Sequence, residues 1–259
     1  MSPLTTSEHD PIWHQVFAVG HPDLEAMRRR HAELPAPPRC RLCLAPFKGT
    51  GGETMEQEGR GPSHRNANFC AQCDVFIRDH PGGAEVEMGL LMVDMEDSTG
   101  LAERRSPKDW SETLTALYRE VVAVLDATDG FVIDHPGDSV FAVYPPGFSG
   151  ETFVHKTVEA GRRMAALRPS GQALRVAAHV GPVYISSFSA RDLPTSDVSL
   201  AGDAVHVVAR MCKVAQPSSL LVSSEAAAQG PDWAREAPRT ELNLAGREKA
   251  IVAHHVELG

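Results

Sequence analysis

The chain has 259 residues, 42% of them hydrophobic and 23% charged, which excludes a disordered or fibrous polymer and leaves room for one substantial core with a small appendage. Twenty-five Lys and Arg against 34 Asp and Glu give a formal charge of -9, a balance that repels nucleic-acid backbones and argues against a general nucleic-acid binder. No apolar run approaches the ~20 residues that cross a bilayer, and the N-terminus, with Glu8, His9 and Asp10, lacks the charged-then-apolar pattern of a signal, so the expected compartment is the cytoplasm.

Residues 1–36 form an N-terminal helical segment with one helical candidate, from Asp23 to His31, and its Arg28, Arg29, Arg30 run is expected on a solvated face. Pro35, Pro37 and Pro38 end it, because proline donates no backbone hydrogen bond, and a boundary is placed there. Residues 37–82 change character: they are rich in Gly, Arg and polar residues, with Cys40-Arg41-Leu42-Cys43 at one end and Cys70-Ala71-Gln72-Cys73 at the other. Four thiolates in two such pairs can close a tetrahedron around Zn2+, although a spacer of 26 residues is long for a ribbon. Two disulfides or four free thiols would be the alternatives; a cytoplasmic compartment disfavours disulfides, and a Gly-rich segment with few large apolar residues has little else to hold it together. With all four ligands from protein, the metal would be structural. Cys212, alone in an apolar helical stretch, is expected in a core.

From residue 83 to 259 the pattern is that of a larger domain. Val86, Met88, Leu90, Leu91, Met92 and Val93 read as a buried strand ending at Asp94. Trp110, Leu114, Leu117, Val121 and Leu125 recur at spacings of four, three, four and four, one apolar helix face. Phe131 to Ile133 and Val140 to Tyr144, joined by His135-Pro136-Gly137-Asp138, read as a hairpin. A helix carrying Phe153, Thr157, Ala160, Met164 and Leu167 follows, then strand candidates over 173–180 and 183–187, a loop rich in Ser, Asp and Pro, a helix over 203–214, and strands over 220–222, 240–244 and 250–256. The order strand, helix, hairpin, helix, strand predicts an α+β sandwich of ferredoxin-like type, a mainly antiparallel sheet with helices on one face.

Asp94 at a strand end and Asp138 in the hairpin turn would meet at one sheet edge in this topology. Two carboxylates there suit divalent cations that bridge to a triphosphate, and the helix start at Ser98 and Thr99 can offer backbone N–H groups to phosphate oxygens. Each Asp also has a local reading, as a helix cap and as a turn residue.

Several blocks in order resemble class III adenylate and guanylate cyclases: LLMVDMEDSTGLAER from Leu90 to Arg104, Gly137-Asp138 with Val140, Phe141 and Ala142, Ala178-His179-Val180-Gly181-Pro182-Val183 as the family's strand-turn-strand, AGDAVHVVARM from Ala201 to Met211, and Leu220-Leu221-Val222-Ser223. The Cys pairs just upstream are similar to those of a bacterial subgroup. The resemblance implies a nucleotidyl cyclase fold and a head-to-tail homodimer with two composite sites. In each, Asp94 and Asp138 would hold two Mg2+ or Mn2+ ions, and Arg210 of the other chain would stabilise charge developing on phosphorus. The implied reaction converts a nucleoside triphosphate to a 3',5'-cyclic nucleotide, displacing pyrophosphate.

The chain also departs from that pattern. Asp134 stands where adenylate cyclases place a base-reading lysine, and Ser199 where the partner position is Asp or Thr; His206 replaces a ribose-orienting asparagine. Ala245 replaces a phosphate-binding lysine, with Arg247 two residues on as the candidate substitute. Glu96 and Asp97 add negative charge to the phosphate-cradling turn, which is expected to weaken triphosphate binding unless metal or a cation offsets it. A carboxylate at 134 suits the donor edge of guanine, so GTP is expected before ATP. Two readings stand: an active cyclase with altered base selection, or a degenerate cyclase fold that binds a nucleotide or partner without turnover. A heterodimer whose second chain carries the lysines would complete a composite site.

Overall fold

Proline sets the start of two helices: Pro22 opens α2 and Pro107 opens α6, each at a position whose N–H would have no partner inside the helix. The computed structural model describes residues 7–35, 37–188, 197–244, 246–247 and 249–258. In chain order the elements are α1 (Asp10–His14), α2 (Pro22–Ala32), α3 (Gly49–Gln57), α4 (Ala71–Asp79), β1 (Gly83–Met95), α5 (Ser98–Arg104), α6 (Pro107–Asp126), β2 (Phe131–Asp134), β3 (Ser139–Tyr144), α7 (Pro146–Ser149), α8 (Phe153–Ala165), β4 (Leu174–Phe188), β5 (Asp197–Ala201), α9 (Asp203–Val214), β6 (Ser219–Ser223), α10 (Ser224–Gln229), α11 (Asp232–Glu236), β7 (Arg239–Leu242) and β8 (Ile251–Glu257). Two compact units result: one takes residues 1–86, 146–148 and 184–201, the other 87–145, 149–183 and 202–259.

In the first unit, α2 is tied to the Cys40 loop from the side. Arg28 donates to the Leu42 carbonyl at 2.8 Å and lies over the Phe148 ring, 4.4 Å from its centroid. It is 4% exposed, so the expectation of a wholly solvated arginine face is corrected at this position: a guanidinium can be buried where carbonyls and an aromatic face replace its water. His31 is also buried, its Nδ1 2.8 Å from the Cys43 carbonyl. The segment before α2 holds a second helical piece, α1 continued by a widened turn over Gln15–Val19, whose Trp13 and Phe17 rings stack at 5.4 Å. The Gly-rich stretch shows little periodicity in the sequence, yet α3 forms there. Gly51 and Gly52 lie so close to Pro35, Pro46 and Phe47 that a Cβ would approach to 2.7–2.9 Å.

In the second unit the strands order as β2-β3-β1-β4-β6-β8-β7, all antiparallel in their resolved registers except β4 with β6. The α+β class expected from the sequence holds. Alternate residues of β1 (Leu91, Val93, Met95) join Leu117, Val121 and Leu125 of α6, Val154, Val158 and Met164 of α8, and Leu220 and Val222 of β6 in one core. Burying each such side chain contributes roughly 1.5–3 kcal/mol before entropy is subtracted. Gly89 and Gly161 bring strand and helix together: a Cβ on Gly89 would fall inside the Thr157 side chain, and one on Gly161 would lie 2.9 Å from Leu220. Cys212 is buried, as expected, with its thiol directed at the carbonyls of Met92 (3.5 Å) and Arg175 (3.4 Å).

Residues 173–187, read as strand, turn and strand, form instead the single strand β4. Its ladder with β6 ends at Ala178 and its ladder with β5 begins at Tyr184, so Pro182 falls between two registers and removes a bond from neither. The loop expected after it lies partly outside the described residues, at 189–196, and partly in β5.

Candidate functional site

Asp94 faces Ser139 across the β1–β3 ladder, and the Ser139 hydroxyl donates to its Oδ1 at 2.6 Å. The same ladder places Asp138 next in the turn, where its carbonyl accepts from Met95 N–H at 3.2 Å. The turn is held from outside by α6: the Tyr118 hydroxyl donates to the Gly137 carbonyl, and its ring lies 4.9 Å from that of His135. Gly137 sits at φ 65°, a left-handed conformation that glycine adopts without a Cβ penalty. Thus pairing brings the two carboxylates together at the ends of two interior strands, and both are half-buried.

Burial pushes the Asp94 carboxyl above its ordinary range, and the Asp138 charge adds to the rise, against the lowering effects of the Ser139 hydrogen bond, Arg175 and Lys213. Two neighbouring carboxylates are a hard-oxygen donor set that could hold a divalent cation. Arg175 and Lys213 are cations near Asp94 that sequence reading passed over. Arg175 forms an ion pair with Glu96, and Arg104 pairs with Asp97 at 2.7 Å. The two acidic residues are therefore each matched by an arginine, the offsetting cation that the expected repulsion allowed for. Ser98 and Thr99 open α5, which has a left-handed Asp97 before it and is too short for a developed dipole.

Asp134 is exposed at the end of β2, and its Oδ1 accepts from the next backbone N–H at 2.8 Å. The remaining candidates gather elsewhere. His206, Arg210 and Arg247 line an open cleft of about 370 Å3 together with Asp203, Gly246 and Lys249, and neither Asp94 nor Asp138 is part of its wall. The Arg210 guanidinium lies against Gly246, whose absent Cβ would be 3.3 Å from it. Arg247 is held by Asp203, with both carboxylate oxygens 2.6 Å from one guanidinium nitrogen. Lys249, which sequence reading missed, also lines this cleft and followed no motif that could have found it. Ala245 lies outside the described residues. Ser199 falls on β5 in the first unit, opposite Ser186.

The four expected cysteine ligands converge. The sulfur atoms of Cys40, Cys43, Cys70 and Cys73 all lie within 4.8 Å of one another, and all four residues are buried. Cys43 and Cys70 sulfurs are 3.7 Å apart, well beyond a covalent bond of about 2.05 Å, so these are thiols and not disulfides. Cys40 to Cys43 occupy a knuckle closed by Cys40 N–H to Ala45 O (2.8 Å) and Leu44 N–H to Cys40 O (2.9 Å); Cys70 caps α4, with Cys73 in its first turn. The Arg60 guanidinium stands 4.0 Å from the Cys43 sulfur. This cluster could hold a metal ion in tetrahedral thiolate coordination.

No family model matches the chain. An uncharacterized protein of Mycobacterium tuberculosis is 29% identical over 184 residues, 68% of this chain and 32% of that protein, and adenylate cyclase 1 of Rhizobium meliloti is 25% identical over 183 residues, 66% of this chain and 27% of the relative. The chain thus spans about a third or less of the length of these curated relatives. Among solved structures, the guanylyl cyclase Cya2 superposes with a TM-score of 0.62 at 16% identity, covering 69% of this chain and 95% of that one. The adenylyl cyclase CyaB from P. aeruginosa gives 0.59 at 14%, covering 68% and 96%, and the guanylate cyclase domain of RhGC from Catenaria anguillulae, solved with GTP, gives 0.58 at 16%, covering 67% and 97%. No helix among the described residues is long and apolar enough to cross a membrane. Over about two thirds of its length, the chain has the fold of nucleotidyl cyclase catalytic domains.

Proposed function

We propose that this chain is a class III nucleotidyl cyclase that converts a nucleoside triphosphate to a 3',5'-cyclic nucleotide and pyrophosphate at the interface of a homodimer. The observation that carries the reading is the Asp94–Asp138 pair, set side by side by the β1–β3 register in a fold shared with cyclase domains. Asp94 and Asp138 would hold two Mg2+ or Mn2+ ions, which when bound neutralise the triphosphate and favour attack by the ribose 3'-hydroxyl. Ser139 fixes the Asp94 rotamer by its hydrogen bond, and Arg175 removes the Glu96 charge from the approach of the phosphates. Arg210, in a cleft apart from these carboxylates, would meet the phosphorus of a substrate held by the other chain, with His206 toward the ribose and Ser199 toward the base. Asp134 would accept from guanine N1–H and its amino group, making GTP the preferred substrate. Residues 37–82 would form a zinc-knuckle module between an N-terminal segment and a catalytic domain from 83 onward, in the reducing cytoplasm.

Arg247, the candidate phosphate ligand, is engaged by Asp203, and this favours the second reading, a cyclase fold that binds nucleotide with little or no turnover, or one completed by a different chain. The deciding experiment is a turnover assay of the full chain with ATP, GTP, CTP and UTP in excess Mn2+, beside Asp94→Ala. Cyclic product, greatest from GTP and reduced at least about a hundredfold by the substitution, is expected. No cyclic product from any triphosphate would sink the catalytic reading in the homodimer.

A further inference from the structure

A cavity of the second unit, about 590 Å3 and open on one side, contains neither metal carboxylate nor Arg210. Its wall includes His179, Ser224, Arg239 and Lys249, with an apolar side formed by Val207 and Ile251. His179 is 9% exposed, and its orientation is set by Ser223. The Ser223 hydroxyl accepts from Ala226 N–H at 3.2 Å and stands 2.8 Å from His179 Nδ1. When that hydroxyl donates to Nδ1, the neutral ring carries its proton on Nε2, the ring edge turned away from Ser223. Burial holds the imidazole below its ordinary pKa, in keeping with a neutral ring, though the charges of Glu225 and Asp203 oppose that shift. Beside it, the Ser224 oxygen is buried and has no hydrogen-bond partner among the described residues. Such a group costs about 1–3 kcal/mol unless something binds it.

Two neutral donors thus meet two cations, Arg239 and Lys249. Two carboxylates also reach the cavity; Asp203 is neutralised by Arg247, and Glu225 is exposed at the wall. We propose that this cavity is a binding site for a phosphorylated small molecule, with the phosphate oxygens on His179 Nε2–H, Ser224 Oγ–H, Arg239 and Lys249 and the organic part against Val207 and Ile251. The site includes neither metal carboxylate nor Arg210, shares Asp203, Arg247 and Lys249 with the cleft that holds Arg210, and does not depend on turnover. The Asp203–Arg247 pair stands in the wall both of this cavity and of the cleft holding Arg210, so occupancy is placed to alter that cleft.

The test uses the full chain titrated with inorganic phosphate and with phenyl phosphate, followed by the His179 imidazole 15N resonances and by calorimetry. Saturable shifts of the His179 signals are expected, with phenyl phosphate binding the more tightly. Ser224→Ala and Arg239→Gln, the second at an exposed residue, should each weaken binding about tenfold without lowering Tm. Arg210→Gln should leave it intact. Displacement of phenyl phosphate by a non-hydrolysable nucleoside triphosphate would assign the phosphate to a nucleotide tail, and its absence to a separate phosphomonoester. Absence of saturable shifts, affinity unchanged in both cavity variants, or binding lost in Arg210→Gln would overturn the proposal.

Discussion

Asp94 is held in its protonated form more tightly by the folded chain than by the unfolded one, because burial and the Asp138 charge outweigh the Ser139, Arg175 and Lys213 contributions. A carboxyl raised in this way contributes stability that is fully present below the ordinary carboxylate range and is lost as pH rises through the raised value. Asn keeps an acceptor for the Ser139 hydroxyl and has no charge to desolvate. Asp94→Asn is therefore expected to melt above the parent protein at pH 7 without divalent metal, with the gap closing as pH falls to about 3 to 4. Calorimetric scans at both pH values check this, and a lower Tm for Asp94→Asn at pH 7 would contradict it. Asp94 and Asp138 could be read from sequence because one ends an apolar strand and the other sits in a Pro-Gly-Asp turn, both local signals. Arg175 and Lys213 could not, since an arginine in a strand and a lysine late in a helix acquire meaning only from the carboxylates that folding brings near them. Arg28 failed for a related reason: its burial depends on Phe148 and the Leu42 carbonyl, which no helical periodicity encodes.

The apolar stripes of β1, α6 and α8 were legible, whereas α1 with Trp13, α4 with Ile77, and the short α10 and α11 were not read. The α6 spacing found its core face, and Ser106-Pro107, a side-chain cap followed by proline, explains why the helix begins before Trp110. The errors came where glycine or proline was given its usual meaning. Gly181-Pro182 was read as a turn within β4, and the glycines of α3 as loop, although close packing against Phe47 and Pro46 requires them small. The cysteine knuckles are the opposite case, since Cys-Xaa-Xaa-Cys states its own geometry. Four buried thiols within 4.8 Å, with Arg60 beside Cys43, form a pocket for one tetrahedral ion whose thiolate charge an adjacent guanidinium offsets. Metal analysis of the purified chain is expected to give about one zinc per chain, and Cys43→Ser or strong chelation should remove it and open the 40–73 segment to proteolysis. A chain that lacks metal and resists protease across 40–73 would show that the thiols pack without an ion.

At the scale of the molecule, the acidic edge formed by Asp94 and Asp138 and the cleft formed by His206, Arg210 and Lys249 are separate features of one chain. A reaction that needs both can be assembled by two copies related by a two-fold axis, since each copy then gives its carboxylates to one site and its arginine to the other. This arrangement has an arithmetic consequence. Asp94→Ala pairs with itself to give two sites without the carboxylate, and Arg210→Ala with itself to give two without the arginine, so each variant alone is inactive. When the two are mixed in equal amounts and exchange freely, half the dimers are mixed, and each mixed dimer has one intact site and one doubly defective site. Activity should therefore recover to about a quarter of the parent value. The recovery is measured as cyclic-nucleotide production after co-refolding or co-expression, with subunit exchange verified independently by a size tag on one variant. If mixed dimers form and no activity returns while the parent protein is active, the carboxylates and Arg210 serve a site within a single chain, and the composite arrangement is wrong.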